Sequence, residues 1–386
     1  MECVDVSSLV RIRDNYKMNV AVISNTSWYL YNFRLNLMLA LIKSGHNVIA
    51  IAPSDKYSGM ISDAGISYQQ LSISGDDINP VTALLTVAEL ARLLRRLKVD
   101  IVFSYTPKGN IYSGIACFGT NIKFVPNVSG LGRTFIKHSI LTYIMKVMYY
   151  FIFKKASVVF FQNNDDLNKF TEMKLVKASV VERLPGSGVD LKRFITSDKF
   201  RNSDNADLVF LLIARMLWDK GVGEFVSAAK AILTLYPNVK FQLLGFVDIQ
   251  NPSAITKEVI NTWVEDGIVD YLGSTDDVRD YIANSDCVIL PSYREGLPRS
   301  LLEAAAMSKP IITTDVPGCR DTVDDGVNGF LCKLKDADDL RDQIMKFIGL
   351  TREQKLEMGR RSREKIEHQF DENIVINRYL EFTDGI

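Results

Sequence analysis

The chain has little of what builds metal centres and disulfide frameworks. Its three histidines, His46, His138 and His368, are far apart and near no cysteine cluster, which argues against a structural zinc site. Five cysteines, Cys3, Cys117, Cys287, Cys319 and Cys332, show no paired spacing and read as the reduced thiols of a cytosolic protein. Neither half carries Gly-x-Gly-x-x-Gly after its first strand, which argues against nicotinamide chemistry. A Walker phosphate loop is also missing, so ATP hydrolysis has no support. No basic patch interleaved with aromatics is present, and nucleic acid is not an expected partner. The most apolar stretch, residues 139–153, is interrupted by Lys146 and falls short of the ~20 residues of a spanning helix. Met1 to Lys17 has acids at Glu2 and Asp5 and no apolar core, so it reads as an amino-terminal extension and not as a secretion signal.

What is present is a two-part pattern. The 386 residues suffice for two ordinary domains. Net charge is zero, yet residues 1–190 carry 21 Lys+Arg against 14 Asp+Glu, a balance of +7, and the remainder a balance of −7. The first half is therefore expected to meet something anionic. Strands are expected at 18–24, 47–52, 99–104, 122–127 and 157–161, with helices at 32–44, 80–98, 109–118, 137–154 and 164–173. The alternation restarts at Leu208, with strands at 208–214, 239–244, 268–272, 286–290 and 310–314. This is an α/β chain of two doubly wound domains facing across a cleft. The boundaries read 1–17 extension, 18–195 first domain, 196–207 polar linker, 208–368 second domain, and 369–386 a helix crossing back to the first. Lys137, Lys154 and Lys155 flank the apolar helix at 137–154, which can pack on the sheet with one face and meet an anionic membrane surface with the other.

Two groups of residues carry chemistry. Glu295 and Glu303 bracket Gly-Leu-Pro-Arg-Ser-Leu-Leu after an apolar strand. A helix beginning near Pro298 puts Glu295 on its entry loop and Glu303 on its second turn, facing the crevice at a strand's carboxyl end. Arg215 and Lys220 follow another strand end, with Gly221 opening a helix. A planar guanidinium, a mobile ammonium and a helix amino terminus suit a diphosphate. Taken alone, each of these is also an ordinary surface charge. Asp336-Ala-Asp338, the one Asp-x-Asp triplet, opens an apparent helix and reads as a cap, so no metal is expected.

The Glu-x7-Glu segment with Ala304-Ala-Ala-Met-Ser-Lys-Pro-Ile-Ile-Thr-Thr-Asp315 resembles the retaining glycosyltransferases of family 4, of GT-B fold, over roughly residues 18–385. Ala214-Arg215-Met-Leu-Trp-Asp-Lys220-Gly221 and Leu243-Leu-Gly245 support the likeness. Tyr31-Asn-Phe-Arg34, Pro107-Lys-Gly-Asn-Ile-Tyr112, Val128-Ser-Gly-Leu-Gly132, Phe161-Gln-Asn163 and Pro185-Gly-Ser-Gly-Val-Asp190 are similar to enzymes that extend undecaprenyl-diphosphate-linked sugars, nearest the bacterial N-acetylgalactosaminyltransferases.

The resemblance implies Glu295, Arg215 and Lys220 as catalytic, and Glu303 as the ribose ligand. It implies donor binding by Gly245, Leu272, Gly296, Leu297, Pro298 and Arg299, and acceptor binding by Arg34, Lys108, Asn110 and Arg133. Pro298 stands where most members have glycine and removes an N–H donor, for which Arg299 can compensate. Ser104-Tyr-Thr-Pro-Lys-Gly-Asn110 holds no histidine, where many relatives place one, which favours front-side attack without a first-domain base. The expected activity is α-transfer of N-acetylgalactosamine from UDP to a sugar on undecaprenyl diphosphate, in O-antigen or other surface-glycan assembly, without a cofactor. The expected place is the cytoplasmic face of the bacterial plasma membrane. Alternatives are another hexose (glucose, galactose or N-acetylglucosamine), a UDP-sugar epimerase, or a non-catalytic sugar-nucleotide-binding partner.

Overall fold

The computed structural model describes residues 17–73, 79–130, 140–195, 208–247 and 251–385. The expected linker 196–207, residues 1–16 of the extension, Arg133 and Lys137 lie outside the described residues.

In the first domain the order is β1 (Asn19–Ile23), α1 (Ser27–Lys43), β2 (Asn47–Ala52), α2 (Lys56–Asp63), β3 (Ser67–Gln70), α3 (Pro80–Arg96), β4 (Ile101–Tyr105), α4 (Pro107–Ala116), β5 (Lys123–Val128), α5 (Ile140–Phe153), β6 (Val159–Phe161), α6 (Asn164–Glu172) and β7 (Val181–Arg183). The second has β8 (Val209–Ile213), α7 (Val222–Leu233), β9 (Lys240–Leu244), α8 (Lys257–Glu265), β10 (Asp270–Tyr271), α9 (Arg279–Ala283), β11 (Cys287–Leu290), α10 (Arg299–Ala306), β12 (Ile311–Thr314), β13 (Gly329–Cys332), α11 (Ala337–Ile348), α12 (Arg352–Gln369) and α13 (Glu372–Asp384). Both sheets are parallel, ordered β3-β2-β1-β4-β5-β6-β7 and β10-β9-β8-β11-β12-β13. The chain direction across each sheet reverses between β1 and β4 and between β8 and β11, where a doubly wound sheet opens a crevice at its carboxyl ends.

Central strands such as Val209-Phe-Leu-Leu-Ile213 are apolar throughout because helices cover both faces. The strands missed in the sequence, β3, β7 and β13, are all sheet edges. Ser-Tyr-Gln-Gln and Val-Glu-Arg at the first two carry no apolar run, since an edge strand keeps polar residues. α1 starts at Ser27 rather than 32, because Thr26 caps it by accepting from Tyr29 N–H at 3.2 Å. The short α2, also unexpected, is started by a capping box between Asp55 and Ser58.

Two chain crossings join the domains side by side. Val189 N–H donates to the Phe370 carbonyl at 2.9 Å and Glu372 N–H returns to the Val189 carbonyl at 3.1 Å. A Cβ on Gly188 would sit 2.3 Å from Glu372 Cα, so only glycine permits this approach. α13 then packs on the first domain, with Tyr379 against Phe103 and Phe160 at ring distances of 4.8 and 5.1 Å.

Candidate active site

The second sheet brings its candidates together at its carboxyl ends. Arg215 follows β8, Gly245 follows β9, Leu272 follows β10, and Glu295 lies between β11 and α10. Gly245 is required where it stands: a Cβ would meet the Ala214 carbonyl oxygen at 1.7 Å. Its N–H donates to the Gly273 carbonyl at 2.8 Å, which draws the β9 and β10 ends together. Leu272 N–H is tied to the Leu243 carbonyl at 2.9 Å, and its side chain packs on the core under α10.

Lys220 ends a short 3-10 turn, and Gly221 follows in the left-handed region at φ 74° to cap α7. A Cβ at Gly221 would strike the Pro291 carbonyl oxygen at 2.0 Å, so glycine lets this turn lie against the end of β11. Tyr293 N–H donates to the Asp219 carbonyl at 2.9 Å and fixes the register. Lys220 Nζ thereby reaches Glu295 Oε1 at 2.5 Å, with the side chains 19% and 14% exposed. Arg215 is exposed and makes no ion pair among the described residues. Its guanidinium is thus open to a ligand at the mouth of the loop that places Lys220.

α10 begins at Arg299 with Pro298 as its amino-terminal cap and no side-chain cap bond. Its first peptide groups lack intrahelical partners and face the loop end with the positive end of the helix dipole. Arg299 Nε donates to Glu303 Oε1 at 2.9 Å. Burial pushes the Glu303 carboxyl above the ordinary glutamate value, and the Arg299 charge opposes that shift. Arg299 also donates to Ser187 Oγ at 3.0 Å and lies 5.1 Å from the centre of the Phe33 ring. Pro317 accepts from Glu295 N–H at 3.2 Å, and Gly318 sits where a Cβ would meet the Glu295 carbonyl oxygen at 2.5 Å. The Gly318 turn therefore backs the Glu295 loop.

The acceptor candidates are more dispersed. Lys108 is half-buried in the first turn of α4, just after Thr106, whose φ of 68° and ψ of 153° are strained for a β-branched residue. Asn110 is buried and committed inside the domain. Its Oδ1 accepts from Ser104 Oγ at 2.7 Å and its Nδ2 donates to the Asn127 carbonyl at 2.9 Å. Arg34 is 1% exposed, 4.2 Å above the Tyr105 ring and within 3.3 Å of Tyr29 Oη, in the wall of a cavity that Ser187, Asp190, Arg299 and Glu372 also line. No group of three or more metal-ligating side chains occurs among the described residues. Asp336 caps α11, accepting from Asp339 N–H at 2.9 Å, and Asp338 pairs with Arg341 at 2.7 Å.

Sequence reading missed the contacts between the domains. Asp276 receives Tyr57 Oη at 2.5 Å and Lys56 Nζ at 2.8 Å, and Arg294 pairs with Asp166. These partners are more than a hundred positions apart, and no local pattern links them. Asn163 Nδ2 also donates to the Gly296 carbonyl at 2.7 Å, and this residue did carry a signal, the Phe161-Gln-Asn163 motif.

Comparison with known proteins agrees with this geometry. Residues 19–163 match the model "Glycosyl transferase 4-like" and residues 194–365 the model "Glycosyl transferases group 1". The chain is 30% identical to the N,N'-diacetylbacillosaminyl-diphospho-undecaprenol alpha-1,3-N-acetylgalactosaminyltransferase of Campylobacter jejuni, over 96% of this chain and 99% of that protein. It is 24% identical to the UDP-Gal:alpha-D-GlcNAc-diphosphoundecaprenol alpha-1,3-galactosyltransferase of Escherichia coli, over 70% of this chain and 72% of that one. Among solved structures, Anabaena HepE in complex with UDP-glucose superposes with a TM-score of 0.78 at 17% identity, covering 96% of this chain and all of that one (100%). Sucrose-phosphate synthase from Thermosynechococcus elongatus gives 0.78 at 17% identity, covering 95% and 98%. These two show the fold. With both domain models matched in order and a relative aligned end to end, the chain belongs to the group 1, family 4-like glycosyltransferases of GT-B fold and is a glycosyltransferase.

Proposed function

We propose that this enzyme moves N-acetylgalactosamine, in α linkage, from UDP to a sugar carried on undecaprenyl diphosphate during O-antigen or other surface-glycan assembly. The observation that carries the reading is the Lys220–Glu295 pair at the carboxyl ends of the second sheet, with Arg215 exposed on the same loop as Lys220 and Glu303 on the helix that follows Glu295. The end-to-end likeness to the Campylobacter jejuni enzyme supports the sugar and the lipid carrier.

In this reading Arg215, Lys220 and the α10 amino terminus hold the diphosphate. Glu303 accepts from the ribose hydroxyls, and Glu295 stands beside the sugar's anomeric carbon. The bond from that carbon to the phosphate oxygen breaks while the acceptor hydroxyl oxygen bonds the same face. The hydroxyl proton passes to the departing phosphate oxygen, leaving UDP and a glycan longer by one sugar. The protein supplies orientation and preplaced charge. Two cationic side chains take the role a divalent ion would have, so the reaction is proposed to need no metal.

The enzyme is further proposed to work at the cytoplasmic face of the plasma membrane. No helix among the described residues is long and apolar enough to cross a membrane. α5 nevertheless exposes Ile140, Tyr143 and Phe151 at 81%, 69% and 53%, next to Lys146 and Lys154. α3 exposes Val81, Leu84 and Leu85. Apolar residues ringed by lysine suit an anionic lipid interface. The test of the whole reading is a donor screen against synthetic lipid-diphosphate sugars, with the product linkage fixed by NMR. Transfer of a different sugar refutes the donor assignment, and UDP-sugar interconversion without acceptor refutes transfer.

A further inference from the structure

The loop bearing Glu295 is wedged between the domains. At Gly296 a Cβ would stand 2.2 Å from the Ser129 carbonyl oxygen and 2.9 Å from Gln162 Oε1. The loop can approach β5 and β6 this closely because that position has no side chain. Asn163 Nδ2 donates to the Gly296 carbonyl at 2.7 Å. Beside it, Arg294 forms an ion pair with Asp166, which is fully buried; the Arg294 side chain is 17% exposed. Asn163 caps α6, accepting from Asp166 N–H at 2.8 Å, and its amide also touches Asp166 Oδ2 at 3.3 Å. The start of α6 thus offers a carboxylate and an amide side by side, one to each of two consecutive stretches of the Glu295 loop.

The floor under this contact is rigid. Gln162 Nε2 donates to Asn127 Oδ1 at 3.3 Å, and Asn127 is bound in turn by Asn110. The ion pair itself is a weak adhesive. Burying two charges costs about as much as their attraction returns, whereas removing one partner strands the other. Arg294 Nε is already buried without a partner among the described residues, so Asp166 is the group that neutralises this guanidinium. A contact of that kind selects one arrangement of the domains rather than holding them together.

We propose that Arg294, Asp166 and Asn163 are positioning residues that dock the Glu295–Gly296 loop on the first domain, so that transfer depends on this docking and nucleotide binding does not. The proposal rests on the reading of Glu295 as the group beside the reacting carbon. The test compares Asp166→Asn, Arg294→Met, Arg294→Lys and the double variant Asp166→Asn/Arg294→Met, with Glu295→Gln in parallel. UDP affinity is measured by calorimetry, which also reports that the second domain is folded, and kcat by transfer assay. Each single variant at the pair should lose at least tenfold in kcat while the UDP dissociation constant stays within twofold. Arg294→Lys should lose less than Arg294→Met, and the double variant no more than its worse single. Losses that add, parallel losses in kcat and UDP affinity, or unchanged kcat would overturn the clamp. Full turnover in Glu295→Gln would instead overturn the reading of Glu295.

Discussion

Lys220 and Arg215 sit in one loop, yet their surroundings predict different consequences of removal. Lys220 Nζ is 2.5 Å from a Glu295 oxygen, and both side chains are mostly buried. At that separation and an effective dielectric of about 20, the gross attraction is about 7 kcal/mol. Desolvation offsets most of it, and breaking a buried pair costs about 3–5 kcal/mol, because the remaining charge is stranded. Partial exposure puts Lys220→Ala at about 3 kcal/mol, the low end of that range. Arg215 is exposed and unpaired among the described residues, so Arg215→Ala should change stability by less than about 0.5 kcal/mol. On function the two should converge. A charge-assisted contact to a phosphate contributes about 1.5–3 kcal/mol, or roughly 10- to 150-fold in kcat/KM. Urea unfolding, UDP calorimetry and transfer kinetics on both variants separate the two effects. Unchanged UDP affinity and kcat/KM in both, with the fold intact, would remove these cations from the diphosphate site. Equal destabilisation by the two would refute the energetic argument.

The two carboxylates should also separate. Glu303→Ala is expected mainly to raise the donor KM, since ribose contacts are the same in ground and transition states, and Glu295→Gln mainly to lower kcat; the reverse pattern in steady-state kinetics would exchange their roles. Activity should survive excess EDTA, and full loss restored by magnesium or manganese would place a metal in the reaction. Anionic vesicles should co-sediment the protein at low salt and release it at high salt, since each lysine near such a surface contributes about 1 kcal/mol; equal binding to neutral vesicles would defeat the electrostatic part. Lys309 is 2% exposed, and burial lowers its amine from 10.5 to about 8. Between those values the unfolded chain holds a proton that the folded one lacks, so stability should rise with pH by up to ~3 kcal/mol. Lys309→Met should flatten that slope in urea titrations from pH 7.5 to 10, and equal slopes would rule out a depressed lysine.

Sequence by itself determined the two doubly wound domains and the central strands of each. Those strands are buried on both faces and are written as short apolar runs between turn residues, shorter than an apolar helix such as α5. It also determined the local placement of two candidate pairs, because Glu295 and Glu303 are joined by one loop and one helix, and Arg215 and Lys220 by one turn. Spacing along such short segments is geometry. Edge strands β3 and β7 were illegible, since a half-exposed strand need not be apolar. Tertiary structure alone decided the burial of Arg34 over Tyr105, the commitment of Asn110 to Asn127, and the clasp of Lys56 and Tyr57 on Asp276. It alone put Arg294 on Asp166, 128 positions away. A charge in the chain looks the same whether it will meet water, a ligand or a distant partner. Only the packing of the two domains fixes which of these neutralises it.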